Sequence, residues 1–472
     1  MLRFPSTLRD LDAAARGALA IHGDELSVKD PDALRGALTD ALVEAAVFAP
    51  DALVRDRARW LLQAAAWHVG VRSASIHNLY LARGRGAIPA EFTVPALNLR
   101  GPTYDQARAA FRAAERLQVG CVVFEIARSE IGYTDQRPGE YAAVVTAAAL
   151  REGFKGPLFL QGDHFQFSPS KWAKDPQAEQ RSIEGLIEEA LSAGFRNIDI
   201  DASTLVTLEP GDLKAQQALN GKLTAQMADF IRERQPDSLN VSVGGEIGEV
   251  GKHNSNAQEL EAYVAVFKDH HARQPGLAKI SVNTGSSHGG IVDKQGKVVK
   301  VAIDLEALRA LGEAARKAGA GGAVQHGAST LPEEYFHKFP EVGALEIHLA
   351  TGFQNLVMDH PALPREVQQR IVAHTKEHCA DERKAGDTEE QFVYKTRKKA
   401  IGPLKRDLWD LPSDAKARIF HDLEERFAFL FGQLRVDHTK ELAFKWALQE
   451  PHPPKPARAV TKDQGMGKGE GE

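Results

Sequence analysis

An aspartate and a histidine stand side by side at the end of an apolar, strand-like segment of the sequence. The segment covers residues 157–161, and Gly162 lets the backbone turn before Asp163 and His164. A carboxylate beside an imidazole at a strand end can be an acid/base group next to a metal ligand, or an ordinary hydrogen-bonded loop pair. Histidines and glutamates also follow other strand-like segments of this chain, and this recurrence favours the metal site.

Three histidines directly follow the third, sixth and seventh strand-like segments: His164, His288 and His326. Three imidazoles that leave one coordination position open are typical of catalytic zinc, so the sequence predicts a Zn2+ site here. Glu246, after the fifth segment, is predicted to be a further ligand or the partner of one. Asp201, after the fourth segment, either orients a ligand or caps a helix.

The segments after strands six, seven and eight are rich in glycine, serine and threonine; they are residues 284–290, 325–330 and 348–352. Few side chains obstruct the backbone N–H groups of such loops, which bind phosphate in the late strands of barrels. Ordinary turn chemistry explains any one of them. Because all three flank the histidines, we predict that they bind phosphate.

Eight strand-like segments alternate with amphipathic helical ones; they cover residues 92–99, 120–127, 157–161, 197–201, 240–245, 279–283, 323–325 and 344–349. This alternation predicts an α/β fold, a (β/α)8 TIM barrel, with its active site at the C-terminal ends of the strands. A doubly wound open sheet is the alternative. The absence of Gly-x-Gly-x-x-Gly after the first strand disfavours a dinucleotide-binding version of that sheet.

Four regions follow from these patterns. Residues 1–90 are predicted to form an N-terminal helical extension, and residues 91–362 the barrel that carries the catalytic site. Residues 363–436 have helical periodicity. Residues 437–472 are predicted to be disordered, because the end of the chain contains almost no large apolar residues.

The composition excludes several classes of protein. The 472 residues are 43% hydrophobic and 26% charged, and the formal net charge of −5 argues against a nucleic-acid binder. No apolar run reaches the roughly 18 residues of a membrane span, and the first residues lack the apolar core of a signal peptide. The two cysteines are predicted to be unpaired. We therefore expect a cytoplasmic protein.

Together these motifs resemble the class II, zinc-dependent fructose-bisphosphate aldolase family, over residues 92–436. Each matching motif is short, but their order along the chain is that of the family. In this sequence they are residues 161–164 for His-x-Asp-His, 200–203 for Ile-Asp-x-Ser, 246–248 for Glu-Leu-Gly, 288–289 for His-Gly, 326–329 for His-Gly-Gly-Ser, and 394–397 for Tyr-Asp-Pro-Arg.

The resemblance implies a carbon–carbon lyase that cleaves a ketose (bis)phosphate into dihydroxyacetone phosphate and an aldehyde. By the same resemblance, the three histidines hold Zn2+, and Asp163 handles the proton of the hydroxyl at the bond that breaks. A homo-oligomer, a dimer or larger, is also expected. The residues that would bind the substrate's phosphates are Gly289, Gly327, Ser329 and Thr351 at one end and Arg397 at the other.

The sequence departs from the family in three places. Gln161 replaces a histidine, strand eight reads His348-Leu-Ala-Thr-Gly instead of Asn-x-Asp-Thr-Asp, and the loop after strand five offers His253 instead of an acid. A neutral His348 could donate the hydrogen bond of the missing asparagine. His253 is predicted to be the base that deprotonates carbon, or else is a plain loop residue. A non-catalytic structural or regulatory relative is the alternative to an aldolase, and a zinc hydrolase is a third possibility.

Overall fold

The computed structural model describes residues 4–209, 211–248, 254–285, 291–292, 298–299, 303–328 and 331–456. Eight parallel strands pair in chain order, and the eighth pairs with the first, so the sheet closes into a barrel. This confirms the predicted (β/α)8 fold. In chain order the barrel strands are Val94–Asn98, Val123–Ala127, Gly156–Gln166, Asn197–Asp201, Ser242–Glu246, Lys279–Val282, Ala323–Gln325 and Glu346–Leu349.

Helices follow the strands and cover the outside of the barrel. Their ends carry the expected signals: helix Leu305–Ala318 begins after Asp304, whose carboxylate accepts from the N–H of Ala307 at 2.9 Å, and ends at Gly319 with φ 102°. The helices between the first and last barrel strands are Thr103–Leu117, Arg128–Thr134, Pro138–Arg151, Pro169–Lys174, Pro176–Ser192, Leu213–Gln216, Ala218–Arg234, Ala257–His270, Leu305–Ala318 and Lys338–Glu341.

The N-terminal extension is not purely helical, contrary to the prediction. It adds a hairpin, Leu19–His22 with Glu25–Val28, and a strand, Val71–Ser75, that runs parallel to the start of the third barrel strand. That third strand is 11 residues long and extends beyond the barrel, so it offers a pairing edge that local periodicity does not reveal. The helices of the extension are Leu8–Ala15, Pro31–Ala33, Thr39–Phe48, Ala52–His68 and His77–Gly84.

The C-terminal region packs on the barrel as helices. The longest of them, Ser413–Gln433, lies against Thr103–Leu117, where Lys416 pairs with Asp105 at 2.7 Å. None of the helices in the described part of the chain is long and apolar enough to cross a membrane. Both cysteines are unpaired, as predicted, and both are buried, although one was expected to be a surface thiol. The helices after the eighth strand are Thr351–Met358, Arg365–His378, Glu389–Thr396, Lys405–Trp409, Ser413–Gln433 and Lys440–Trp446.

The prediction of disorder is wrong for residues 437–456. This segment forms helix Lys440–Trp446 and strand Leu448–Gln449, which pairs antiparallel with Val71–Ser75. The indole N–H groups of Trp60 and Trp67 donate to carbonyls of the same segment at 2.9 Å. Local composition misses this order because the partners lie in the distant extension. Residues 457–472 are outside the described range.

Candidate active site

The third barrel strand brings Asp163 and His164 to the C-terminal mouth of the barrel. Its pairing with the fourth strand shifts register between Gly162 and Phe165, and His164 has a φ of 41°. This irregularity lets two successive side chains reach the same mouth, where a regular strand would point them to opposite faces. A Cβ on Gly162 would lie 2.4 Å from the ring of Phe165, so the irregularity needs glycine there.

His164, Glu246 and His326 meet at this mouth. His164 Nδ1 lies 3.0 Å from Glu246 Oε2, and His164 Nε2 lies 2.9 Å from His326 Nδ1. One ligand atom from each of the three residues lies within 4.8 Å of the others. Two imidazoles and one carboxylate are a donor set that suits Zn2+ and similar divalent ions. The residues present therefore fit the predicted metal.

Asp201 holds the ring of His164. Its Oδ2 lies 3.0 Å from His164 Nδ1, and its buried carboxylate also accepts hydrogen bonds from Gln166 and Ser203. Burial raises the pKa of Asp201, but the hydrogen bonds from His164, Ser203 and Gln166 outweigh it and leave the pKa below its ordinary value. An ionised carboxylate that orients a histidine is the usual support of a metal ligand.

The electrostatics of the mouth favour a positive charge. Burial lowers the pKa of His164, but Asp163, Glu246 and Asp201 outweigh that effect and raise it well above its ordinary value. Burial raises the pKa of Glu246 to about 7. The negative charge of these buried carboxylates is compensated by a bound proton, and a bound metal cation would compensate it in the same way.

His348 sits between carboxylates on the opposite side of Asp163. Its Nδ1 lies 3.1 Å from both Asp163 and Glu125, and its Nε2 lies 2.7 Å from Glu346. Burial lowers the pKa of His348, but Glu125 and Asp163 outweigh it and raise the pKa well above its ordinary value. The neutral imidazole expected from the sequence is thus disfavoured. Burial also raises the pKa of Asp163, but His164 and His348 lower it by more than burial raises it. This carboxyl is therefore ionised.

Several predicted site residues cannot be placed, because they lie outside the described residues: His253, His288, Gly289 and Ser329. Two predicted phosphate binders are placed. Gly327 follows His326 with a φ of 68°, and Thr351 is the first residue of helix Thr351–Met358. Both directly follow barrel strands and so lie at the end of the barrel that carries the metal-binding group.

Arg397 does not join the group at the mouth. Its guanidinium forms a two-pronged pair with Asp359 and also donates to Asn355 Oδ1 at 2.8 Å. The next residue, Lys398, has no hydrogen bond or ion pair to another described side chain, and its ammonium lies 5.4 Å from the ring of Tyr133. Burial and the charge of Arg100 lower the pKa of Lys398. Of these two cations, Lys398 therefore has fewer hydrogen-bond and ion-pair partners among the described side chains than Arg397 has.

The sequence interpretation missed a set of charged residues inside the barrel. Glu125 and Asp199 lie in the middle of their strands, Lys279 and Glu346 begin theirs, and all four are buried. One signal could have identified part of this set: Glu346 and His348 are two residues apart in a strand, so they share a face.

A large part of this chain is similar to known proteins. Residues 85–406 match the sequence model of the family described as class-II fructose-bisphosphate aldolase. A D-tagatose 6-phosphate 4-epimerase of Agrobacterium fabrum (strain C58) is 30% identical over 112 residues, which is 22% of this chain and 26% of that protein. The chain thus matches about a quarter of the length of this curated relative.

Two solved structures are similar to this chain. A probable tagatose 6 phosphate kinase from Sinorhizobium meliloti 1021 has a TM-score of 0.50 and 16% identity, over 75% of this chain and 99% of that one. The fructuronate-tagaturonate epimerase UxaE from Cohnella laeviribosi has a TM-score of 0.47 and 12% identity, over 90% and 89% of the two chains. At these identities the first likeness supports the fold alone.

Proposed function

Because this chain belongs to the class II fructose-bisphosphate aldolase family, we propose that it is a metal-dependent lyase for a phosphorylated ketose. The reaction is a retro-aldol cleavage to dihydroxyacetone phosphate and an aldehyde, in a catalytic domain that covers residues 91–362. The observation that carries the proposal is the group His164, Glu246 and His326 with the ionised Asp163 beside it. A non-catalytic relative would have no need to keep this combination.

The metal is proposed to be Zn2+, held by His164, His326 and Glu246, with His288 as a further ligand. A zinc ion at this place would act as a Lewis acid toward the ketose carbonyl. Asp201 would keep the ring of His164 in the orientation that ligation needs, because its carboxylate already lies 3.0 Å from Nδ1.

Asp163 is proposed to accept the proton from the hydroxyl group on the carbon whose bond breaks. It is buried and ionised, and its Oδ1 lies 3.8 Å from the ring of the ligand His164. A carboxylate in this state can take up a proton and return it in the reverse reaction. His253 is proposed to be the separate base that acts on the carbon next to the ketone.

The two ends of the substrate are proposed to lie on opposite sides of the mouth. Backbone N–H groups at Gly327 and at the start of helix Thr351–Met358 would bind the phosphate of dihydroxyacetone phosphate, together with Gly289 and Ser329. At the far end, Lys398 would meet an anionic group more readily than Arg397, whose guanidinium already pairs with Asp359.

A second candidate is epimerisation at the same bond, and the local identity to a D-tagatose 6-phosphate 4-epimerase favours it. Retro-aldol cleavage makes a planar aldehyde. If that aldehyde rotates in the site and the bond re-forms on its opposite face, the configuration of the carbon that carried the hydroxyl is inverted. The same Asp163 would serve in both directions. The two functions differ in whether the aldehyde is released.

The test is to incubate the zinc-loaded chain with ketose 6-phosphates and ketose 1,6-bisphosphates and to follow products by 31P NMR. Release of dihydroxyacetone phosphate from a 1,6-bisphosphate, or of a phosphorylated aldehyde and dihydroxyacetone from a 6-phosphate, supports the lyase. Conversion between epimers without release supports the second candidate. Asp163→Ala should keep its zinc while turnover falls by roughly 10²-fold or more, the scale of a general acid/base. A zinc-loaded chain that performs neither conversion would contradict the proposal, and loss of zinc in Asp163→Ala would make Asp163 a ligand.

A further inference from the structure

Buried polar side chains cross the barrel interior below the mouth. We call them the core network; its members are Glu125, Gln161, Asp199, Lys279 and Glu346. They come from five different strands, and each is at most 6% exposed. Charged groups are rarely buried so deeply unless they are paired or functional.

Lys279 is the centre of the core network. Its ammonium lies 2.8 Å from Asp199 Oδ2, donates to Gln161 Oε1 at 2.7 Å and contacts Glu346. The three N–H groups of the ammonium are thus matched by three oxygen acceptors, one from each of these side chains. Gly244 stands between Asp199 and Lys279 in the sheet, and a Cβ there would lie 2.2 Å from Asp199 Oδ1. The strand between them has glycine where this pair needs the space.

The core network reaches the proposed active site through His348. Glu346 Oε1 lies 2.7 Å from His348 Nε2, and Gln161 donates to Glu125 at 2.8 Å. Glu125 in turn lies 3.1 Å from His348 Nδ1, the atom that faces Asp163 at the same distance. Both ring nitrogens of His348 are therefore held by carboxylates, which fixes the orientation of the ring against Asp163.

The core network also reaches the N-terminal extension. Tyr80, in helix His77–Gly84, is fully buried, and its hydroxyl donates to Glu346 Oε2. Arg83 of the same helix donates to the carbonyls of Ala344 and Leu345 at 2.9 and 3.1 Å, so the helix is fastened to the start of the eighth strand. Glu346 thus receives Tyr80 on one oxygen and Lys279 and His348 on the other.

We propose that Tyr80 and Glu346 are positioning residues, and that the N-terminal extension acts through them on turnover. Tyr80 fixes the carboxylate of Glu346, and Glu346 fixes the ring of His348 beside Asp163. The proposal rests on the proposed function, in which Asp163 handles the substrate proton. It gives the extension a role in catalysis without placing any of its residues in contact with substrate.

The first test compares two tyrosine variants. Tyr80→Phe removes the hydroxyl that reaches Glu346. Tyr104→Phe removes the hydroxyl of another buried tyrosine, which donates to Asp40 at 2.7 Å, outside the barrel interior. We expect kcat of Tyr80→Phe to fall on the order of tenfold, the effect of one hydrogen bond to a charged group, with KM and zinc content unchanged. Tyr104→Phe should keep the kcat of the native chain. Glu346→Gln combined with Tyr80→Phe should lower kcat by less than the product of the single effects.

The second test needs no turnover. The ring N–H of His348 should give a low-field proton resonance in NMR, identified by its absence in His348→Gln. That resonance should shift in Tyr80→Phe and stay in place in Tyr104→Phe. If the native chain cleaves no ketose phosphate, the proposed function fails and the resonance alone decides whether Tyr80 positions His348. Tyr80→Phe with native kcat and an unshifted resonance, and only a lowered Tm, would overturn the proposal.

Discussion

Replacement of Lys279 by methionine should destabilise the chain by about 3–5 kcal/mol at pH 8, the cost of removing one partner from a buried ion pair. The lysine side chain is 1% exposed, lies 2.8 Å from Asp199 and also contacts Glu346. Methionine has a similar volume, so the core stays filled. The loss arises because two carboxylates stay buried without their cation.

The destabilisation caused by Lys279→Met should be smaller at pH 5 than at pH 8. In the native chain, burial raises the pKa of Glu346, but Lys279 and His348 outweigh it and bring the pKa to about 2. The contribution of Glu346 is therefore present above its ordinary pKa of 4.5 and is lost as the pH falls toward about 2. Replacement of Lys279 removes the strongest effect that lowers the pKa of Glu346, while burial and His348 remain, so this pKa rises from about 2.

A carboxyl with a raised pKa is more stable when protonated, so the variant should gain stability as the pH falls from 8 to 5. The gain is about 1.4 kcal/mol per pH unit below the new pKa, for each carboxyl that takes up a proton. Between pH 8 and pH 5 this gain comes mainly from Asp199. Burial already raises its pKa to about 6 even with Lys279 beside it.

Urea unfolding, followed by tryptophan fluorescence, measures the free energy of unfolding of the native chain and of Lys279→Met at pH 5 and at pH 8. Lys376→Met is the control, because Lys376 lies 2.7 Å from Glu389 with side chains 47% and 56% exposed. Exposed pairs contribute little, so this variant should match the native chain at both pH values. A loss in Lys279→Met that is equal at the two pH values, or as small as in the control, would refute the reasoning.

Three further predictions concern the proposed site. Elemental analysis should find about one Zn2+ per chain and less than that in His326→Ala. The control His360→Ala should keep its zinc, because the imidazole of His360 pairs with the exposed Asp422. Full zinc content in His326→Ala would exclude His326 as a ligand. His253→Gln should abolish solvent deuterium exchange into dihydroxyacetone phosphate, and exchange at the native rate would exclude His253 as the base. Lys398→Met should raise KM roughly tenfold for a ketose with an anionic far end and leave KM for the uncharged analogue unchanged. Lys399→Met, which loses a pair with Glu382, should change neither KM, and equal effects on both substrates in Lys398→Met would contradict the assignment.

The barrel could be predicted because its signals are local. Short apolar runs such as Val123–Ala127 alternate with amphipathic helices such as Thr103–Leu117, and each can be recognised within its own segment. The meeting of His164, Glu246 and His326 could be expected because they follow strands whose C-terminal ends share one mouth.

The interior of the barrel could not be predicted in the same way. Lys279 meets Gln161 and Glu346 across 118 and 67 residues of chain, and nothing in the local sequence marks those partners. Gln161 stood out as a replaced histidine, but its role as an acceptor for Lys279 requires the closed sheet. The engagement of Arg397 with Asp359 was equally hidden, because Asp359 lies 38 residues earlier, at the end of helix Thr351–Met358, and the motif match says nothing about it.

The strand Val71–Ser75 has consequences for how the chain is made. Its outer edge is covered by strand Leu448–Gln449, while Trp60 is fastened to a carbonyl 394 residues later. On the ribosome, this edge can be covered only after nearly all of the chain shown here has been synthesised. Until then its unpaired N–H and C=O groups face outward, as in the edges through which separate chains associate. We therefore expect the nascent chain to be more prone to self-association when translation of the last segment is slow.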